Sequence, residues 1–103
     1  MKSYPKVMIS QPMQGLSQGE IIEKWEAIRY KLLVEGYDVI STFVEDNIPS
    51  NVIHRSTWYL AKSLEHMSTV NAVYFCKGWE NARGCRIEHE VAKAYHITCL
   101  YEE

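Results

Sequence analysis

Apolar positions along this chain fall alternately into short runs and helical stripes. Lys6 to Ser10 (KVMIS) is a brief apolar run set off by Pro5 and Pro12, the form of a buried strand. SQGE at Ser17 to Glu20 has the capping-box pattern, in which the serine hydroxyl and the glutamate each satisfy a free backbone N–H, so a helix is predicted from there. Ile21, Trp25, Ile28 and Leu32 recur at helical spacing, Lys24, Glu26 and Lys31 face water, and Gly36 supplies the left-handed stop. Tyr37 to Phe43 (YDVISTF) reads as a second strand, and Glu45 to Asn51 (EDNIPSN) as the main loop.

The second half repeats the alternation. Thr57 to Met67 is predicted helical, with Leu60, Leu64 and Met67 on one side. Asn71 to Phe75 (NAVYF) is strand three, Arg86 to Tyr95 helix three, and Ile97 to Tyr101 (ITCLY) strand four. The order βαβαβαβ implies right-handed crossovers and an α/β fold with a parallel four-stranded sheet and helices on both faces. Ligands in such folds bind beyond the carboxyl ends of the strands, where strand order reverses. Two loops meet that description: SQPMQG after strand one and CKGWENARG after strand three.

Composition narrows the function classes. The 103 residues fit a single domain spanning 1–103, and 47% apolar with 23% charged residues is ordinary for a globular protein. A net charge of −2 argues against a broad grip on nucleic acid polymers and still permits a local phosphate site. No apolar run approaches the roughly 20 residues that cross a bilayer, and MKSYPKVMIS lacks the apolar core of a signal peptide, so a cytoplasmic protein without membrane partners is expected. Cys76, Cys85 and Cys99 are expected as free thiols.

The two loops hold the candidate chemistry. In the first, Ser10, Gln11, Met13 and Gly15 suit close approach to a polar ligand, against the alternative of a simple strand-to-helix turn. In the second, Gly78 and Gly84 bracket a loop and Glu88 falls in the first turn of helix three, a position that favours carboxylates in any protein. With Ile87, Val91 and Ala94 facing the sheet, Glu88 lies on one flank and Glu90 on the other, so spacing leaves the two acids open; position along the helix slightly favours Glu88. Trp79 can stack on a base or anchor its loop. Arg83 and Arg86 can fork a phosphate or pair with Glu80 or Glu90. Cys85, His89, Cys76 and His96 form no metal-binding pattern, and no metal or cofactor is expected.

GCRIEHEVAKA (Gly84 to Ala94) resembles the G-T-x-x-E-x-G-x-A signature of the nucleoside 2-deoxyribosyltransferase superfamily, and MISQPM (Met8 to Met13) is similar to its first strand and loop. ISQPMQGLS and LAKSLEHMSTVNAVYFCKGWENARGCRIEHE resemble the small deoxyribosyltransferase-like proteins of bacteria and phages. The resemblance implies a flavodoxin-like or Rossmann-like three-layer fold, a nucleoside or nucleotide ligand, and homo-oligomeric assembly. It also implies N-glycosidic bond cleavage or 2-deoxyribosyl transfer through a glutamate nucleophile, Glu88, by the logic of a retaining glycosidase. Ser10, Gln11, Gly15 and Ser63 would contact sugar or phosphate, Met13 and Trp79 would cover the base, and Gly84 is a further substrate-binding position. Against the superfamily pattern, Cys85 replaces the signature threonine and Glu90 its second glycine; Met8 stands where a tyrosine orients the glutamate, Ser63 for an aspartate and Asn71 for an acid. The alternative reading is a non-catalytic module that binds a nucleotide derivative.

Overall fold

The computed structural model describes residues 4–43 and 47–103. Eight elements follow one another: β1 (Lys6–Ser10), α1 (Gln18–Val34), β2 (Asp38–Val39), α2 (Arg55–Met67), β3 (Ala72–Phe75), a 3-10 turn (Trp79–Asn81), α3 (Arg83–Ala94) and β4 (Thr98–Tyr101). The four strands form one parallel sheet in the order β2-β1-β3-β4. This is a three-layer flavodoxin-like, Rossmann-like α/β fold; the alternation predicts its parallel sheet with helices on both faces, and the resemblance implies the fold type.

Alternating side chains divide the sheet into two cores. Val7, Ile9, Ala72, Tyr74 and Cys76 pack on Trp25, Ile28 and Leu32 of α1. Met8, Val73 and Phe75 face Met67 of α2 and Ala92 of α3 on the other side. One helix therefore covers one face and two cover the other.

Local signals set the helix ends. The Ser17 hydroxyl accepts the Glu20 N–H at 3.1 Å and the Glu20 carboxylate accepts the Ser17 N–H at 3.2 Å, so the capping box is formed. At the other end Gly36 has φ +97°, with Gly36 N–H bonded to Leu33 O and Tyr37 N–H to Leu32 O, a Schellman closure. The same closure ends α3, where Ile97 N–H reaches Ala92 O and His96 takes the left-handed position at φ 59°.

Three predicted boundaries shift by two residues or more, and the starts of β2, β3 and β4 and the end of α3 by one. Strand two was expected to run to Phe43, but β2 stops at Val39 and its last ladder bond is Ile40 N–H to Val7 O. Beyond it the Phe43 ring packs edge-on to Trp25, with centroids 5.1 Å apart, which takes this segment to α1 instead of β1. Glu45 and Asp46 of the predicted loop lie outside the described residues. α2 starts at Arg55, two residues before the predicted Thr57. α3 starts at Arg83, three residues before the predicted Arg86, because Arg86 N–H closes a first turn on Ala82 O at 2.9 Å. Gly84 is thus helical and does not end a loop.

Candidate functional site

The crossover from β1 runs outward to β2 and that from β3 runs outward to β4, so the chain reverses direction between β1 and β3. At the carboxyl ends of these two strands Ser10 pairs with Phe75, and Cys76 N–H continues the ladder to Ser10 O at 3.0 Å. The loops that follow meet there: a Cβ on Gly78 would contact Pro12 Cγ at 3.6 Å. Gly78 itself holds φ +89°, a conformation that excludes most side chains from this turn.

Into this crevice α3 sends Glu88. The buried stripe of the helix is Cys85, Glu88 and Ala92, while Ile87 is 39% exposed and Ala94 is exposed. The expectation that Ile87, Val91 and Ala94 face the sheet is therefore corrected: only Val91 is even half-buried, and the small Cys85 and Ala92 make the close contact. This decides between the two acids. Glu88 is 7% exposed and Glu90 is exposed. Glu88 also stands in the second turn of α3, not the first, beyond the reach of most of the helix dipole.

Ser10, itself 2% exposed, donates its hydroxyl to Glu88 Oε1 at 3.0 Å. Burial pushes the Glu88 carboxyl above its ordinary range, and the hydroxyls of Ser10 and Ser63 pull it back part of the way. Cys85, one turn earlier, is shifted in the same direction: burial raises its thiol, Ser10 opposes this, and the Glu88 charge adds to it. A thiol so placed is kept protonated, which fits a packed residue and not a nucleophile. Cys76 is pushed to about 12 by burial above all. All three cysteines are free.

The remaining predicted positions differ in their surroundings. Ser63, half-buried on α2, joins Ser10 and Glu88 through its effect on the carboxyl. Gln11 is 6% exposed, and its amide donates to Ile21 O at 3.2 Å, so it ties the β1 loop to the first turns of α1. Met13 is 51% exposed, Gly15 has φ +82°, and Gly84 sits in the first turn of α3 with open space where a Cβ would be. Arg83 and Arg86 are exposed and make no ion pair among the described residues, with Glu80, Glu90 or any other acid.

Trp79 is packed in an aromatic cluster. Its indole lies on the His89 imidazole with centroids 4.1 Å apart and planes 30° from parallel, while Phe75 approaches at 5.5 Å and Tyr101 at 6.0 Å. His89 Nε2 and Tyr101 Oη are hydrogen-bonded at 2.7 Å. Hydrophobic periodicity carries no sign of this cluster, since its members come from β3, the following turn, α3 and β4. Asn71, read as the replacement of an acid, clamps the start of β1: its side-chain oxygen accepts Lys6 N–H at 2.8 Å and its own N–H donates to Lys6 O at 2.9 Å.

A model of a domain of unknown function, DUF4406, matches residues 5–101. The chain belongs to the DUF4406 family. No curated protein and no solved structure matches it. The match spans every element of the DUF4406 fold described above, including both loops and the Ser10–Glu88 contact.

Two further features bear on the candidate site of this DUF4406 protein. An open groove of about 550 Å³ lies along α1, lined by Gln18, Ile22, Trp25, Arg29, Ser41 and Phe43 among others, and touches neither Ser10 nor Glu88. Its charged residues, exposed Glu26 and half-buried Arg29, pair with each other at 3.2 Å, which leaves no buried ionisable group in its wall. Among the described residues no group of three or more His, Cys, Asp or Glu could hold a metal ion, and no helix is long and apolar enough to cross a membrane. Among the described residues Glu88 is the only buried carboxyl, and it stands where the topology of such folds places ligands.

Proposed function

We propose that this protein binds a nucleoside or nucleotide at the β1–β3 crevice and that Glu88 acts on its N-glycosidic bond. The observation that carries the reading is a buried glutamate, held by a hydroxyl, at the point where strand order reverses. Burying a carboxyl among apolar side chains is unfavourable, so such a group marks a site more often than it supports a fold. The resemblance of Gly84 to Ala94 to the deoxyribosyltransferase signature supplies the reaction class.

In this reaction the ionised Glu88 carboxylate attacks the anomeric carbon of the sugar. The carbon–nitrogen bond breaks, its electron pair leaves with the base, and the base takes up a proton from solvent. The resulting glycosyl ester is released by water, or by a second base that takes the sugar and gives up a proton. Ser10 and Ser63 stand beside the carboxylate, and Met13 and Gly15 line the approach from the β1 loop. Trp79 bounds the approach from the other loop while His89 occupies its stacked face. Exposed Ile22, Tyr30, Leu33 and Val34 on α1 offer a surface for a second copy. Light scattering that finds only monomer would count against that assembly.

A second reading, a non-catalytic nucleotide-binding module, is favoured by one observation. The raised Glu88 carboxyl spends more of its time protonated, as a hydrogen-bond donor to a ligand and not as a nucleophile. The deciding experiment incubates wild type and Glu88→Ala with a panel of nucleosides and 5′-monophosphates and measures free base by chromatography. Base released by the wild type alone supports the glycosidic reaction; a ligand-induced rise in melting temperature without release supports the module.

A further inference from the structure

We propose that Ser10 is the positioning residue of Glu88, fixing the orientation and protonation of the carboxyl from the last residue of β1. The inference rests on the reading of Glu88 as the reacting group, and adds a residue that acts through it.

Three observations carry it. Ser10 already has its backbone fixed by the strand: it pairs with Phe75, and its carbonyl accepts the Cys76 N–H. Its hydroxyl is therefore not needed to hold the sheet. By strand alternation the Ser10 side chain shares a face with Met8, whose neighbours are Val73, Phe75, Met67 and Ala92, all apolar. Sheet packing alone would place another apolar residue there. The Ser10 hydroxyl is instead bonded at 3.0 Å to Glu88 Oε1, and both residues are almost fully withdrawn from solvent.

A hydroxyl has one proton to give. Directed at Glu88, it favours the ionised carboxylate and fixes one of its oxygens, which limits how the side chain can rotate about its last bond. Met8, on the same face and 1% exposed, has only a weakly accepting thioether and cannot take this role. Ser63 reaches the carboxyl from α2 and assists, but α2 has only Met67 fully buried and is the less firmly seated support.

The test reads Glu88 directly and needs no substrate. Wild type, Ser10→Ala and Ser10→Thr are labelled with glutamate carrying 13C in the side-chain carboxyl, and the Glu88 resonance is assigned by its loss in Glu88→Gln. Loss of the donor in Ser10→Ala raises the Glu88 titration midpoint by about one pH unit. Ser10→Thr, which keeps the hydroxyl, returns the midpoint to the wild-type value. A midpoint unchanged in Ser10→Ala, or one that threonine fails to restore, overturns the proposal. Should Ser10→Ala not fold, Ser10→Cys keeps the volume with a weaker donor and gives an intermediate rise; no rise in that variant also overturns it. Because the readout is the carboxyl itself, absence of base release from the wild type would refute the glycosidic reading and leave this result standing.

Discussion

The imidazole of His89 lies almost flat on the indole of Trp79, 4.1 Å between centroids, and its Nε2 is bonded to the hydroxyl of Tyr101 on β4. His89 directly follows Glu88 in α3, so one helical turn presents a carboxyl to the crevice and an aromatic clamp to the loop beside it. The clamp holds the 3-10 turn Trp79–Asn81 in place, although that turn has no fully buried residue and no side-chain cap.

Trp79→Ala is accordingly expected to lower stability by about 1–3 kcal/mol, less than a fully buried tryptophan because this one is half-exposed. Urea denaturation of the two proteins measures it. A change within error would show that the stack is incidental.

Glu88→Ala is expected to abolish base release, by about a thousandfold or more, since it removes the only group assigned to attack the sugar. Circular dichroism and a thermal melt confirm that the variant remains folded. Base release at the wild-type rate would exclude the proposed role.

The raised Glu88 carboxyl also predicts a pH dependence of stability. The folded state holds this proton more tightly than the unfolded chain, whose carboxyl titrates near 4.5. Glu88 therefore destabilises the fold progressively as pH rises from about 4.5 through its raised folded value, and the penalty is fully present above both. Glu88→Gln is expected to melt higher than wild type at pH 7, with the difference shrinking as pH falls toward 4. A difference that stays constant across that range contradicts the burial assigned to the carboxyl.

His96 occupies a left-handed position at φ 59° that its Cβ disfavours. His96→Gly is expected to stabilise the protein by about 0.5–1 kcal/mol, after allowing for the greater freedom of glycine in the unfolded chain. Denaturant midpoints decide it; a loss of stability would mean that the imidazole has an interaction outweighing the strain.

Features governed by neighbours along the chain are legible in the sequence. The capping box at Ser17 and Glu20, the stop at Gly36 and the bounds of β1 all follow from a few adjacent residues. The stripe Trp25, Ile28 and Leu32 was legible too, because these residues recur at helical spacing, although α1 also carries exposed Ile22, Tyr30, Leu33 and Val34. α3 was not. Hydrophobicity assigned Ile87 to the sheet and put Glu88 on a flank, whereas the helix docks through Cys85 and Ala92, whose small size permits close approach and turns Glu88 inward. β2 ended early because Phe43 packs on Trp25, a contact between distant segments that a run such as YDVISTF does not announce. The Ser10–Glu88 bond belongs to the same class, since neither residue's sequence neighbours indicate the other.

Ser10 and Glu88 are separated by 78 positions along the chain. Contacts of such span form only after the intervening loop entropy has been overcome, so β1 must pair with β3 and α3 must dock before the crevice exists. On the proposed reading, no nascent or partly folded form in which α3 is still undocked binds a nucleotide through this carboxyl. Affinity at the proposed site would then report the pairing of β1 with β3 and the docking of α3, and a compound bound there would protect those elements against proteolysis, not merely the loops it touches.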